Sequence, residues 1–120
     1  MKTIHFLRHA KSSWDDFELR DYDRPLSTRG IQDADLMGNY FRSKKIKLDL
    51  VISSPSKRTT ETLEHFFQFE RPKVQFEESI YHATLDEILD VIFLEYYLVV
   101  NYLYIPVSYT HLTLPTKRIV

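Results

Sequence analysis

The 120-residue sequence contains no cysteine. Disulfide bonds, thiolate catalysis and cysteine-based zinc sites are therefore excluded. The sequence also lacks a long apolar run, since none approaches the roughly 20 residues that a membrane-spanning helix needs. The apolar segment at 4–7 is too short for a signal peptide, and charged residues follow it at once. From these features we expect a cytoplasmic protein without membrane contact.

An excess of charge of one sign is also missing. Lysine and arginine together number 16 and aspartate and glutamate 17, so the formal net charge is −1. A nearly neutral chain argues against nucleic-acid binding driven by the whole surface. The length suits one domain and is too short for two ordinary domains.

Apolar and turn-forming residues alternate in a way that predicts strands separated by helices. The predicted strands are 3–7, 49–53, 73–76 and 96–100, and the predicted helices are 28–43, 55–67 and 84–94. Ser27 is the predicted N-cap of the first helix. Ser54 is the predicted N-cap of the second helix, and Pro55 is predicted at the first position of that helix. Thr84 and Glu87 form a predicted capping box. This alternation predicts an α/β fold with a mainly parallel sheet.

Basic residues and a histidine follow two of the predicted strands. Arg8 and His9 come directly after 3–7, and Arg58 lies in the first turn of the helix after 49–53. The carboxyl ends of parallel strands meet at the same edge of a sheet, where sites in such folds lie. We therefore expect Arg8, His9 and Arg58 to lie together at that edge.

These residue types suit phosphoryl transfer. A histidine nitrogen can attack phosphorus, guanidinium groups can bind phosphoryl oxygens in bidentate fashion, and helix N-terminal amides add partial positive charge. Such chemistry depends mainly on positioning and charge stabilisation. On the residues alone a second interpretation stays open, in which His9 is a capped loop histidine and Arg8 and Arg58 are surface charges.

Three ordered motifs carry a resemblance to a known family. They are "LRHAKSSW" at 7–14, "DYDRPLSTRGIQDA" at 21–34 and "VISSPSKRTTET" at 51–62. Together they resemble the signatures of the histidine phosphatase superfamily, and within it the SixA-type phosphohistidine phosphatases. The likeness covers about residues 1–95. It implies a three-layer α/β fold with helices on both faces of a mainly parallel sheet.

The resemblance also implies a mechanism. His9 would form a phosphohistidine intermediate, and Arg8 and Arg58 would bind the phosphate without a metal or organic cofactor. The substrate would be a phosphorylated protein, carrying phosphohistidine, or a small phosphomonoester. Alternative interpretations are a non-catalytic phosphate- or phosphoprotein-binding module and an inactive truncated fragment.

Further residues of the motifs have two interpretations each. Lys11 and Ser13 are predicted to bind substrate, the alternative being a solvated loop. Trp14 is predicted to anchor the long loop by packing. Arg24 and Arg29 are predicted to pair with one of the aspartates at 21 and 23 rather than to contact substrate.

The other histidines are harder to assign. His5 and His65 are predicted to be structural. Relatives often carry an acidic residue in the segment where this sequence has His82, so the proton donor for the leaving group is unassigned.

The resemblance stops near the carboxyl end. Relatives continue into a strand followed by a Gly-His motif whose histidine completes the phosphate pocket, whereas the only later histidine here is His111. All 17 acidic residues lie at or before Glu95. We therefore expect a partial histidine phosphatase domain over 1–105, truncated after residue 95–105. The tail at 106–120, "PVSYTHLTLPTKRIV", resembles translated sequencing-adapter read-through.

Overall fold

The computed structural model describes residues 3–95 and 101–105. Strands and helices alternate through this part of the chain. The strands are β1 (Thr3–Phe6), β2 (Leu50–Ser53), β3 (Val74–Phe76) and β4 (Asn101–Ile105), and the helices are α1 (Thr28–Ser43), α2 (Lys57–Phe66) and α3 (Leu85–Glu95). Two three-residue 3₁₀ helices, Asp21–Asp23 and Glu78–Ile80, lie in the connections.

The sheet has the strand order β1-β4-β2-β3, and every neighbouring pair is parallel. Phe6 of β1 and Ile52 of β2 both pair with Tyr104 of β4. The carboxyl ends of β1 and β2 therefore lie at the same level on either side of β4. The segments that follow these two strands leave the sheet at one edge, as the sequence predicted.

Helices pack on both faces of the sheet. On one face, α1 and α2 share a buried cluster with the strand residue Val51. On the other face, α3 packs against Leu50 and Ile52. Successive strand residues point to opposite faces, so the three consecutive apolar residues of β2 serve both cores. The α/β fold with a mainly parallel sheet and helices on both faces is confirmed.

Two of the predicted helix starts are confirmed in detail. Ser27 caps α1, because its Oγ accepts a hydrogen bond from the Gly30 amide at 3.0 Å. At α3 the Glu87 amide donates to Thr84 Oγ1 at 3.3 Å, and the Thr84 amide donates to Glu87 Oε2 at 2.7 Å. This reciprocal pair is the predicted capping box.

The predicted start of α2 was wrong. The helix begins at Lys57 with Ser56 as N-cap, not with Ser54 as N-cap and Pro55 at the first helical position. Ser54 instead closes a turn ahead of the helix, since its Oγ accepts a hydrogen bond from the Ser56 amide at 3.3 Å. Its carbonyl oxygen accepts a bond from Thr59 Oγ1 at 2.6 Å.

Some predictions concern segments beyond the described part of the chain. The strand predicted at 96–100 lies outside the described residues, and the described fourth strand is β4 at Asn101–Ile105. The tail at 106–120, which contains His111, also lies outside them. Within 3–95 and 101–105, no helix is both long and apolar enough to cross a bilayer.

The long connection between β1 and α1 is held against the start of α1. The Ser13 amide donates to the Pro25 carbonyl at 2.8 Å, and the Ser27 amide donates to the Lys11 carbonyl at 2.8 Å. The same Lys11 carbonyl oxygen lies where a side chain on Gly30 would have to go. Gly30 therefore lets the segment that carries the candidate site approach the helix.

We predict that Gly30→Ala lowers the free energy of unfolding by about 1–3 kcal/mol, the usual cost of overpacking. The new Cβ would overlap the Lys11 carbonyl oxygen. No side-chain rotation can relieve this overlap, because the carbonyl belongs to the backbone and the Cβ is bonded directly to it. Urea denaturation measures the change, with Gln32→Ala on the exposed side of α1 as the matched control. Equal or greater stability of Gly30→Ala would show that the connection moves away from α1 without cost.

Candidate functional site

Arg8 and His9 follow β1 with one residue between. Arg8 is exposed and His9 is half-buried. The Nδ1 atom of His9 lies 2.7 Å from the carbonyl oxygen of Ala10. A carbonyl oxygen only accepts hydrogen bonds, so Nδ1 carries the proton. In the neutral imidazole the lone pair is then on Nε2, which is the nitrogen able to act as a nucleophile.

A short chain of hydrogen bonds joins this segment to α2. The Ala10 amide donates to Thr62 Oγ1 at 3.0 Å, and that hydroxyl donates to the Arg58 carbonyl at 2.7 Å. Thr62 lies one turn after Arg58 on α2 and is buried. These hydrogen bonds tie Ala10, the neighbour of His9, to the turn of α2 that carries Arg58.

Arg58 is a buried cation, with only 3% of its surface exposed. Its Nη1 donates to the Asp21 carbonyl at 2.6 Å, and its Nη2 donates to Asp21 Oδ2 at 2.9 Å. Among the described residues, its Nε has no hydrogen-bond partner, and that atom is closed to solvent. A buried N–H without a partner is costly.

Asp21 collects hydrogen bonds from four side chains. Besides Arg58, Tyr81 donates to Oδ2 at 2.7 Å and Arg24 Nη1 donates to Oδ1 at 3.2 Å. The Nε2 atom of His82 lies 3.0 Å from Oδ2. Burial alone would raise the pKa of Asp21, but the bonds from Tyr81 and Arg58, the positive charge of Arg58 and the bond from His82 together hold that pKa well below its usual range.

Tyr81 and His82 each carry the proton that a hydrogen bond to the Asp21 carboxylate needs. Burial, followed by the hydrogen bond to Asp21, raises the pKa of Tyr81 to about 12, so its hydroxyl keeps its proton at neutral pH. An ionised carboxylate only accepts, so His82 Nε2 carries a proton as well. His82 has a φ of 53°, a left-handed conformation that non-glycine residues adopt infrequently.

Arg24 organises the loop beside this cluster. Besides Asp21, it donates to the Ser13 carbonyl at 3.1 Å and to Ser12 Oγ at 2.6 Å. Its guanidinium carbon also lies 3.2 Å from the ring centroid of Trp14. The predicted pairing of Arg24 with Asp21 is confirmed.

Other predicted residues have different outcomes. Arg29 pairs with Asp33, at 3.7 Å, so its predicted pairing with an aspartate at 21 or 23 was wrong, because its side chain points along the exposed side of α1. His65 Nδ1 lies 3.0 Å from Asp35 Oδ1. His5 is buried and meets Phe41 edge to face, with ring centroids 6.2 Å apart.

The two other predicted substrate-binding residues lie on the connection after His9. Lys11 is exposed, and its carbonyl oxygen accepts hydrogen bonds from Ser27. The Oγ of Ser13 accepts a hydrogen bond from the Asp15 amide at 3.1 Å. Contact of either side chain with substrate stays a prediction.

The cluster around Asp21 was not predicted as a site. Tyr81 and His82 lie 60 and 61 residues after Asp21, and no local pattern marks contacts between such distant residues. The one available signal was His82 itself, an ionisable residue in a segment where the resemblance led us to expect an acid. Among the described residues, no three histidine or acidic side chains are grouped so as to ligate a metal ion.

Comparisons with known proteins find relatives of this sequence. An uncharacterised chloroplastic protein of Arabidopsis thaliana is 50% identical over 62 residues, which are 52% of this chain and 28% of that protein. The phosphohistidine phosphatase SixA of Escherichia coli is 33% identical over 61 residues, 51% of this chain and 37% of that protein. The aligned regions span 28% to 52% of the length of the curated relatives.

A solved structure from Nakamurella multipartitia, described as a SixA-type phosphohistidine phosphatase, superposes with a TM-score of 0.78. It is 26% identical, and the superposition covers 96% of this chain and 60% of that one. The family model of the histidine phosphatase superfamily (branch 1) matches residues 4–88. That match includes Arg8, His9, Asp21, Arg58 and His82. The chain therefore belongs to branch 1 of the histidine phosphatase superfamily.

Proposed function

We propose that this chain carries the phosphate-binding site of a phosphatase in which His9 is the nucleophile. The observation that carries the proposal is the hydrogen-bonded path from Ala10 through Thr62 to Arg58. This path ties the backbone beside His9 to the turn of α2 that carries Arg58, and both residues follow parallel strands at the same edge of the sheet. Family membership and the phosphohistidine phosphatase named among the relatives support the same assignment.

In the proposed reaction, the lone pair of His9 Nε2 attacks the phosphorus atom. A P–N bond to His9 forms as the bond from phosphorus to the leaving oxygen or nitrogen breaks, and the leaving group keeps that electron pair and takes up a proton. Water then attacks the phosphohistidine, releases inorganic phosphate and restores the imidazole. The hydrogen bond from Nδ1 to the Ala10 carbonyl keeps Nε2 available in this cycle.

Arg58 and Arg8 have separate roles in the proposal. Asp21 occupies the Nη1 and Nη2 atoms of Arg58 by one bond each, and each of these nitrogens keeps one further N–H, which we assign to the phosphoryl oxygens. Arg8 is exposed and contributes charge from the segment that carries His9. Lys11 and Ser13 are proposed as secondary contacts. The substrate is proposed to be protein phosphohistidine or a small phosphomonoester.

We predict that the full chain takes a phosphoryl group from radiolabelled phosphoramidate, with label that is acid-labile and alkali-stable. His9→Gln removes the nucleophile and should lose the label completely. His65→Gln is the matched control, because His65 lies on α2 but pairs with Asp35, and it should keep the label. If the chain binds oxyanions yet never becomes labelled, the non-catalytic binding module is the better assignment.

Oxyanion binding tests Arg58 independently of turnover. We predict that Arg58→Lys weakens tungstate binding about 10- to 100-fold, because a lysine cannot replace a directional charged hydrogen bond worth about 1.5–3 kcal/mol. Isothermal titration calorimetry measures the affinity. Arg29→Lys, on an exposed residue paired with Asp33, should leave it unchanged. Equal affinity of Arg58→Lys and the parent chain would remove Arg58 from the site.

Asp21 provides a prediction on pH. Its folded-state pKa is depressed, so its stabilising effect is complete above the unfolded-state pKa, about 4, and is lost as the pH falls through the folded-state pKa. Asp21→Asn should lower the free energy of unfolding by about 1–2 kcal/mol, since Arg58 loses its charged acceptor but solvent partly screens the Asp21 side chain, which is 41% exposed. The difference from the parent chain should shrink as the pH falls below about 4.

Urea denaturation across this pH range makes the comparison. Asp33→Asn is the control, because it breaks the exposed pair with Arg29 and exposed pairs contribute about 0–1 kcal/mol. An Asp21→Asn effect that grows as the pH falls below about 4 would contradict the depressed pKa of Asp21.

A further inference from the structure

A second concave site lies at the edge of the sheet opposite to His9 and Arg58. Helices α1 and α2 end there, and the chain enters β2 and β3. A cavity of about 600 Å³ opens between the end of α1, the connection at 45–48 and the segment at 66–72. Small-molecule sites commonly have volumes of about 300–1,000 Å³ and mainly apolar walls, so the cavity is large enough for a small ligand.

The wall of this cavity is aromatic. It is formed by four phenylalanines, Phe41, Phe66, Phe67 and Phe69. The ring centroids of Phe66 and Phe67 are 4.8 Å apart and those of Phe41 and Phe66 are 5.2 Å apart. Three of the rings thus pack on each other as a fixed surface, while Phe69 stays 70% exposed at the opening.

The rim of the cavity is cationic. Four basic residues line it against one acidic residue, and these are Arg42, Lys45, Lys47, Arg71 and Glu70. Arg42 lies with its guanidinium carbon 4.1 Å from the centroid of the Phe69 ring, and it donates to the neutral amide oxygen of Asn39 at 2.9 Å. In the described part of the chain, no carboxylate lies within 4.0 Å of the charged nitrogens of Arg42, Lys45 or Arg71.

Lys45 adds a conformational observation. Its φ is 53°, and the position just after a helix that takes this conformation is usually glycine or asparagine. A lysine there accepts backbone strain that a glycine would avoid. Strain of this kind at a concave site is a reason to look for function, and the function that lysine can supply and glycine cannot is positive charge.

We infer that this cavity binds a small amphipathic anion, with an apolar ring or chain against the phenylalanines and one anionic group at Arg42 and Lys45. The anionic group is a carboxylate, a sulfonate or a phosphate ester. A bare oxyanion lacks the apolar part and belongs to the edge that carries Arg58. The inference does not depend on the phosphatase proposal, because the two sites share no residue.

The probe is 8-anilinonaphthalene-1-sulfonate, titrated into the full chain by fluorescence. We expect saturable one-to-one binding. Its uncharged relative N-phenyl-1-naphthylamine should bind at least tenfold more weakly, because it lacks the anionic group. An excess of inorganic phosphate should not displace the probe, since phosphate alone does not fill the aromatic wall.

Charge-reversal variants locate the binding site. Arg42→Glu and Lys45→Glu should each weaken probe binding at least tenfold. Lys44→Glu is the matched control, because Lys44 does not line the cavity and its Nζ lies 4.9 Å from the centroid of the Tyr40 ring. Its effect should stay below twofold. A thermal melt confirms that each variant is folded.

Three results would overturn the inference. Equal affinity for the charged and uncharged probes would show that the basic rim contributes nothing. Equal loss in Lys44→Glu and Lys45→Glu would show a non-specific charge effect. The absence of saturable binding would show that the cavity does not accept this class of ligand.

Discussion

The pairing of the buried Arg58 guanidinium with Asp21 is the interaction on which the candidate site depends. A charge removed from water must be paired and hydrogen-bonded, or burial becomes very costly. Arg58 meets this requirement by bonding both the carbonyl and the carboxylate of Asp21. Asp21 belongs to the long connection between β1 and α1, so satisfying Arg58 also fixes a segment that has little regular structure of its own.

The same connection is held at a second place. Around Lys11 the connection lies against Gly30 and Ser27 at the start of α1. Arg24 joins this part of the connection to the part around Asp21, because it bonds to Ser12, Ser13 and Asp21. The connection therefore runs over α1 and α2 rather than away from them. His9 lies just before Lys11 in the sequence. Its position therefore follows from the backbone packing of Lys11 against Gly30 and from the bond between Ala10 and Thr62.

The sequence predicted the features that local patterns determine. The bounds of α1, the capping box of α3 and the common edge of β1 and β2 are read from periodicity, capping residues and the rule for parallel strands. It failed at the start of α2, because Ser54 and Ser56 are both common N-cap residue types and the Oγ of Ser54 is used by the turn ahead of the helix. Contacts of Asp21 with Tyr81 and His82 depend on tertiary packing, which a single sequence does not encode in any short pattern.

In the proposed phosphate site, directional hydrogen bonding and long-range attraction of the anion would be supplied by different arginines. Asp21 offsets one of the two positive charges of Arg24 and Arg58, which both bond to it, so these three groups together retain one unit of positive charge. A guanidinium has five N–H donors, and Asp21 takes only two of those on Arg58. The carboxylate thus reduces the attraction of Arg58 for an anion but fixes the direction of its remaining donors. In the proposed site, directional hydrogen bonds would come from the buried Arg58 and long-range attraction from exposed cations nearby, of which Arg8 is next to His9. This division would account for one arginine being buried and the other exposed.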